Sequence, residues 1–250
     1  MSADIVVRDV SRSYRREDGS SLPVFEKLDF AVAEHELVAL VGPSGCGKST
    51  LLDLLAGFQR PDSGSITFAG HAVARPHPAG VLITQKGAVF PWMTARRNLT
   101  FVLEDQPEAQ REELARHYLD LVGLHDFAAA YPFELSGGML QRLELARALV
   151  VKPRALFMDE PFGSLDALTR LRMRQELLRI RREEPQTTVL VTHDVEEAVA
   201  LADRIFVLTE RPMRIAHIVE IGLPHPRSIS DPRAVAMRDG ILHELGAIRD

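Results

Sequence analysis

The stretch Gly42-Pro43-Ser44-Gly45-Cys46-Gly47-Lys48-Ser49-Thr50 decides how the rest of this chain is read. An apolar run at 37–41 precedes it and reads as a buried strand; apolar residues at helical spacing follow it over 49–56. In that strand-loop-helix setting, Gly-x-x-x-x-Gly-Lys-Ser has a physical meaning. Glycines let backbone N–H groups curl around phosphate oxygens, and the helix aims its positive end at the same anion. Lys48 adds a point charge for terminal phosphates, and the Ser49 hydroxyl can ligate Mg²⁺, which prefers octahedral oxygen coordination; Thr50 lies beside them. A glycine-rich turn that only joined a strand to a helix would not need Lys48-Ser49 in register. Cys46 suits a small filler in the loop, and its position predicts that a thiol-alkylating reagent blocks nucleotide binding while ATP protects.

Outward from the loop, two more apolar runs end in polar residues of interest. Residues 155–158 run into Asp159-Glu160, and 188–191 run into Thr192-His193. Both read as central parallel strands, and helical patterns at 167–182 and 195–202 alternate with them, which predicts an α/β sheet covered on both faces. Strand-like runs at 5–10, 24–33, 65–69 and 81–84 precede these, and 204–208 and 214–219 follow. Between 91 and 151 the period changes: Leu114, Tyr118, Leu121 and Val122 fall at helical spacing, and 138–150 gives a second helix. The expected fold is α/β, a parallel central sheet around the glycine loop with an inserted helical stretch. As one domain, it divides into a core at about 1–86 and 152–222, a helical subdomain at about 87–151 and a C-terminal tail at about 223–250.

The bulk numbers exclude several classes. A chain of 250 residues that is 46% apolar can bury a sizeable core. Its formal charge of −5, with no long basic block, argues against a nucleic-acid backbone as main partner. One cysteine cannot form an internal disulfide, and Met1-Ser2-Ala3-Asp4 lacks the basic-then-apolar layout of a secretory signal, so a cytosolic setting is expected. No apolar stretch is long enough to span a bilayer. Service to a membrane would come from its surface.

Other residues add chemistry to the loop. Asp159 can hold Mg²⁺ through water, and Glu160 can accept a proton from the attacking water. Leu135-Ser136-Gly137-Gly138-Met139-Leu140-Gln141 opens a helix with a serine and two glycines, a second anion-binding helix end. One glycine loop needs one nucleotide, so this second end should face a partner's nucleotide.

On these pieces the sequence resembles the ATP-binding cassette family. The match takes in the glycine loop, Gln85, LSGGM at 135–139, FMDEP at 157–161, SLDA at 164–167 and THD at 192–194, all in that family's order. The resemblance implies a P-loop triphosphatase (RecA-like) core with a parallel central sheet, N-terminal antiparallel strands and an inserted helical subdomain, and a head-to-tail dimer with a second cassette subunit, taken as a homodimer. Two ATP molecules lie between the glycine loop of one subunit and Ser136-Gly137-Gly138 of the other. It further implies that Gln85 senses Mg²⁺ and the lytic water, that Asp166 signals across the dimer, that His193 contacts the terminal phosphate and that Tyr14 stacks on adenine. Each has a plainer use: Tyr14 as a half-buried strand residue, His193 as a core or cap histidine, Gln85 as a solvated strand end, Asp166 as cap of the helix that follows. The run Arg179 to Glu184 reads as a solvated helix end.

The stretch FPWMTARRNL at 90–99, with 210–215 and LPHPR at 223–227, is similar to the nitrate, sulfonate and taurine importer branch. In import-type cassettes this region faces the coupling helix of an integral-membrane permease, and Phe90, Trp92 and Met93 stand in a Pro-bounded loop suited to that contact; Trp92 could also pack as core. The resemblance therefore implies a peripheral ATPase subunit on the cytoplasmic membrane face, energising uptake of a small solute supplied by a binding protein. The chain departs from the pattern at Leu140, where a basic residue is common, and at Met213, where the branch often has glycine. A soluble cassette clamp on DNA or ribosomes generally carries a long coiled-coil insertion or a duplicated cassette, absent here. A small-molecule phosphotransferase leaves Ser136-Gly137-Gly138 and His193 unexplained.

Overall fold

The computed structural model describes residues 3–84, 88–163 and 165–246. Two sheets organise them. The first is antiparallel, in the order β2-β1-β4-β5, with β1 (Ala3–Arg15), β2 (Ser21–Ala33), β4 (Ser63–Phe68) and β5 (His71–Ala72). The second runs β10-β9-β3-β8-β7-β6, from β10 (Ile215–Glu220), β9 (Arg204–Leu208), β3 (Leu37–Val41), β8 (Thr187–Val191), β7 (Ala155–Asp159) and β6 (Gly80–Ile83). The five strands from β9 to β6 are mutually parallel, as the apolar runs predict, but β10 returns antiparallel to β9 and makes the sheet mixed.

Alternation along the buried strands assigns their two faces. Leu37, Ala39 and Val41 of β3 join one core, with Leu156, Met158, Leu190, Ile205 and Val207 from its neighbours. Val38 and Leu40 join the other, with Phe157, Val189, Val191 and Phe206. The first core is closed by helices α2 (Ala95–Phe101), α3 (Glu108–Leu121), α4 (Gly137–Leu149), α5 (Ala167–Glu183) and α6 (Val195–Leu201). The second is closed by α1 (Lys48–Leu55) and the antiparallel sheet. Both faces being covered is why these strands read as unbroken apolar runs. Each buried leucine contributes roughly 1.5–3 kcal/mol, so a one-residue register slip, which would exchange the two faces, is strongly resisted.

Helices α2, α3 and α4, with two 3₁₀ turns at His125–Phe127 and Pro132–Glu134, are inserted between β6 and β7. Tyr118 of α3 is buried and donates to Glu184 Oε2 at 2.6 Å, tying this helical layer to the end of α5; burial, and then the Glu184 carboxylate, push its phenol pKa up. The end of α5 is less solvated than the sequence reading expects. Ile180 is buried, and the Arg181 guanidinium folds in to donate to His35 O at 2.8 Å and to approach Asp203 at 3.4 Å. After β10, Arg227 donates to the carbonyls of Val199, Ala202, Ile221 and Leu223, which caps the end of α6. That anchors the segment leading to α7 (Pro232–Glu244), which packs on α6.

Candidate active site

Parallel strands bring their C-terminal ends to one edge, and register decides which residues meet there. Leu40 of β3 is level with Val191 of β8, and Val191 is level with Asp159 of β7. The loops that follow, starting at Gly42, Thr192 and Glu160, therefore leave the sheet side by side, where an open α/β sheet binds its ligands.

The glycine loop is tightly built. Gly47 has φ +125, and a Cβ there would lie 2.4 Å from Val24 Cγ1, so only glycine fits. Gly42 approaches Leu208 so closely that a Cβ would stand 2.8 Å from the leucine Cβ. Pro43, Ser44 and Gly45 form the rim, and Ser44 and Gly45 are exposed. Lys48 opens α1 and is only 7% exposed, and its ammonium donates to the carbonyls of Gly42 and Pro43, both at 2.8 Å. No side chain among the described residues caps α1, whose first-turn N–H groups are thus left for an anion held by the loop. Cys46 is 2% exposed, with its sulfur 3.9 Å from Met213 Sδ. The filler role suits it. An alkylating reagent would reach this thiol only when the loop opens, which qualifies the reactivity its position suggests. Met213, fully buried, also donates its N–H to Val24 O at 2.7 Å, so the unusual methionine backs both the loop and the valine beneath Gly47.

The carboxylates stand across from the loop. Burial pushes the Asp159 carboxyl above its ordinary value, outweighing a hydrogen bond from Ser49 and the charge of Lys48, while Glu160 and Asp53 add to the rise. Ser49 and Asp159 thus offer adjacent hard oxygen donors in a site already crowded with negative charge, the donor set that suits Mg²⁺. Glu160 has φ +49, a left-handed backbone that typically stores about 1–3 kcal/mol in a non-glycine residue. It is held there by its N–H to Val191 O at 2.9 Å and by its carbonyl, which accepts from Gly163 N at 3.1 Å. The result aims its carboxylate at His193, whose Nδ1 lies 3.3 Å from Glu160 Oε1. The His193 side chain is 67% exposed, so it faces outward over the site rather than into the core.

The remaining sequence candidates take up separate places. Tyr14, near the end of β1, shares a 3.2 Å hydrogen bond with Thr50 Oγ1 and donates to Gln59 Oε1 at 3.2 Å, with the Arg12 guanidinium 5.1 Å from its ring centre. Its ring is thereby tied to the helix of the glycine loop. Ser136 caps α4 by accepting from Met139 N at 3.3 Å, and a Cβ on Gly138 would sit 3.3 Å from Leu165 and 3.4 Å from Thr169. Gly138 therefore packs beside the segment that carries Asp166, while a Cβ on Gly137 would meet nothing within 4 Å. Asp166 caps α5 through Leu168 N at 3.1 Å and Thr169 N at 3.0 Å. Gln85 lies outside the described residues.

Three functional features went unread in the sequence. Asn98 is fully buried, accepts from Phe90 N at 2.7 Å and donates to the carbonyls of Phe90, Met93 and Thr94, each at 3.1 Å. One amide thus shapes the loop that presents Trp92, which is 68% exposed and 5.5 Å from the Phe90 ring. From α4, Glu144 accepts from Ala88 N at 2.8 Å, and Arg147 donates to Ala88 O and lies 4.3 Å from the Phe90 ring. Behind His193, a buried pair from α5 and α6, Arg174 and Glu197, braces Thr192 and Asp194. An arginine among apolar helix positions at 173, 177 and 178 was the one available signal for that pair.

A phosphate-cradling loop with facing carboxylates and a strand-end histidine defines a class, the P-loop triphosphatases. Within that class, a family model described as ABC transporter matches residues 25–163, more than half of the chain. The chain belongs to the ABC transporter family. It is 39% identical over 254 residues to the bicarbonate transport ATP-binding protein CmpC of Synechococcus elongatus, a match that spans 98% of this chain and 38% of CmpC. It is 40% identical over 232 residues to the nitrate import ATP-binding protein NrtC of the same organism, spanning 91% of this chain and 35% of NrtC. The chain thus covers little more than a third of the length of either protein. Among solved structures, the dimeric post-hydrolysis state of the cassette MJ0796 bound to ADP and Pi superposes with a TM-score of 0.79 at 25% identity, covering 88% of this chain and all of that one. The fold expected from the sequence is the fold observed, except that the antiparallel β10 makes the central sheet mixed.

Proposed function

We propose that this chain is the ATP-hydrolysing subunit of an importer for a small anion of the nitrate, bicarbonate or sulfonate kind. It works at the cytoplasmic membrane face against a separate permease that a solute-binding protein supplies. The observation that carries the reading is the meeting of Lys48, Ser49, Asp159, Glu160 and His193 along one sheet edge, in a chain similar to CmpC and NrtC. No helix among the described residues is long and apolar enough to cross a membrane, which suits a subunit that relies on a permease.

In this reading residues 42–50 bind the phosphates of ATP, Lys48 neutralises the terminal pair, and Tyr14 offers its face to adenine. Ser49, Asp159 and Gln85 would hold Mg²⁺, which supplies charge neutralisation of the phosphates when bound. Glu160 takes a proton from water as the water oxygen attacks the terminal phosphorus; the bond to the bridging oxygen breaks and ADP leaves with phosphate. His193, beside Glu160, donates to the terminal phosphate. The core at about 1–86 and 152–222 carries these groups. The helical subdomain at about 87–151 carries Ser136, Gly137 and Gly138, which close on the ATP of a second copy, with Asp166 at the same contact. Phe90 and Trp92 dock a helix of the permease, and the tail at about 223–250 packs outside the site.

The test is to capture the chain from membranes of its own host and to delete it there. An integral-membrane partner in the capture, together with loss of uptake of one such anion, is the expected result. Capture without a membrane partner and undiminished uptake of nitrate, bicarbonate and sulfonates would overturn the proposal.

A further inference from the structure

His193 has an exposed side chain, so its aim must come from the backbone on either side of it. That backbone is fixed from beneath. Thr192 Oγ1 accepts from Asp194 N at 3.0 Å, closing a short turn around His193. A hydroxyl has one hydrogen, and with Asp194 N–H aimed at a lone pair that hydrogen goes to Glu197 Oε2, 3.2 Å away. Asp194 closes the circuit: Oδ1 accepts from Glu197 N at 3.1 Å, and Oδ2 accepts from Arg174 Nη2 at 2.7 Å. Arg174 and Glu197 have side chains only 7% and 4% exposed, with Arg174 Nη2 3.9 Å from Glu197 Oε2. Arg170, one turn before Arg174 on α5, reaches Asp194 at 3.4 Å and donates to Leu165 O at 3.0 Å, next to Asp166.

A buried arginine-carboxylate pair contributes little net stability compared with apolar residues of the same size. A role in specificity of geometry explains its presence better. We propose that Glu197 and Arg174 are positioning residues for hydrolysis: through the Thr192 hydroxyl and the Asp194 carboxylate they hold the turn that aims His193. Through Arg170 and Leu165 the same brace joins the His193 turn to the segment carrying Asp166, so the two loops move as one body. The proposal rests on the role given to His193 above.

Five variants test it, each assayed for kcat and KM of ATP hydrolysis and for binding of a fluorescent ATP analogue. Thr192→Val keeps the side-chain shape and removes the hydroxyl; kcat should fall about 10- to 100-fold, the usual effect of misplacing a reacting group by about 1 Å, with KM and analogue binding within about twofold of wild type. Thr192→Ser restores the hydroxyl and should restore kcat. Glu197→Gln keeps an acceptor for Thr192 and should retain most of kcat, whereas Glu197→Leu should behave like Thr192→Val. Should Thr192→Val lose analogue binding altogether, the comparison of Gln with Leu at 197 decides between brace and no brace. Wild-type kcat in Thr192→Val, or equal losses in Glu197→Gln and Glu197→Leu with binding intact, overturns the proposal. His193→Ala separates the two levels: undiminished kcat in that variant refutes the role of His193 itself, and a lost kcat beside an unaffected Thr192→Val refutes only the brace.

Discussion

Replacing Asn98 with alanine should free the Trp92 loop while sparing ATP hydrolysis. The amide makes four contacts, yet its two hydrogens are shared by three carbonyls, and two of those carbonyls have other donors. Thr94 O accepts from Asn98 N at 2.9 Å, and Phe90 O accepts from Met93 N at 3.1 Å. The groups left without their partner are Phe90 N and Met93 O. At about 1–1.5 kcal/mol for each lost bond, with a further penalty for burying an unsatisfied group, the loop should lose roughly 2–4 kcal/mol of local stability. That reduces occupancy of the present loop conformation by a factor of about 30 or more. Trp92 is the only tryptophan in the chain, so its fluorescence reports this loop directly. Asn98→Ala should raise its quenching by iodide and lower its anisotropy, leave ATP hydrolysis by the isolated chain within about threefold, and abolish stimulation by the proposed permease. Unchanged Trp92 quenching and anisotropy would refute the reasoning, since the Asn98 amide is what fastens Phe90 N.

The other expectations follow from the site. Glu160→Gln should keep ATP binding and slow turnover by roughly 10² to 10⁴, the range for loss of a general base, in a single-turnover assay; wild-type turnover would remove Glu160 from the mechanism. Gly47→Ala places a methyl 2.4 Å from the buried Val24 at φ +125, so it should weaken ATP binding by at least about tenfold and lower the melting temperature, both readable by calorimetry. Burial pushes the Glu197 carboxyl up from 4.5 to about 7, with Asp194 adding to the rise and Arg174, Thr192 and Arg170 opposing it. Its folded-state value is raised, so its contribution to stability is fully present below the unfolded value and is lost as pH climbs through about 7. Thermal midpoints of Glu197→Gln should therefore gain on wild type between about pH 5 and pH 8, and a constant difference across that range would contradict this.

Much of this architecture was legible because its strongest signals are local. The runs at 37–41, 155–158 and 188–191 are buried on both faces and so are almost wholly apolar; the first leads into the glycine loop and the other two into Asp159 and Thr192 at the ligand edge of the sheet. Helix α2 was not legible: its seven residues include Arg96, Arg97 and Asn98, too few and too polar to show a period. The full lengths of β1 and β2 were hidden by register shifts between Val7 and Val10 and between Val10 and Arg12, which break the alternation that identifies a strand. The antiparallel return of β10 depends on a hairpin geometry that an apolar pattern does not encode. At the site, motif residues could be named but their partners could not. Asp166 shows why: the sequence allowed it to cap a helix, and only coordinates show that its carboxylate accepts from Leu168 and Thr169. Glu197, Arg174 and Asn98 work through buried polar contacts between segments distant in sequence or through loop shape, and neither leaves a periodic trace.

The central claim is that the ATP held by Gly42 to Thr50 of one copy is closed by Ser136, Gly137 and Gly138 of another. It is tested most directly by analytical ultracentrifugation of Glu160→Gln with and without ATP, alone and combined with Ser136→Arg. Glu160→Gln should sediment as a dimer with ATP and as a monomer without it, and adding Ser136→Arg should return a monomer that still binds one ATP. A Glu160→Gln chain that remains monomeric with ATP bound, or a Ser136→Arg chain that loses ATP binding as a monomer, would contradict the shared site.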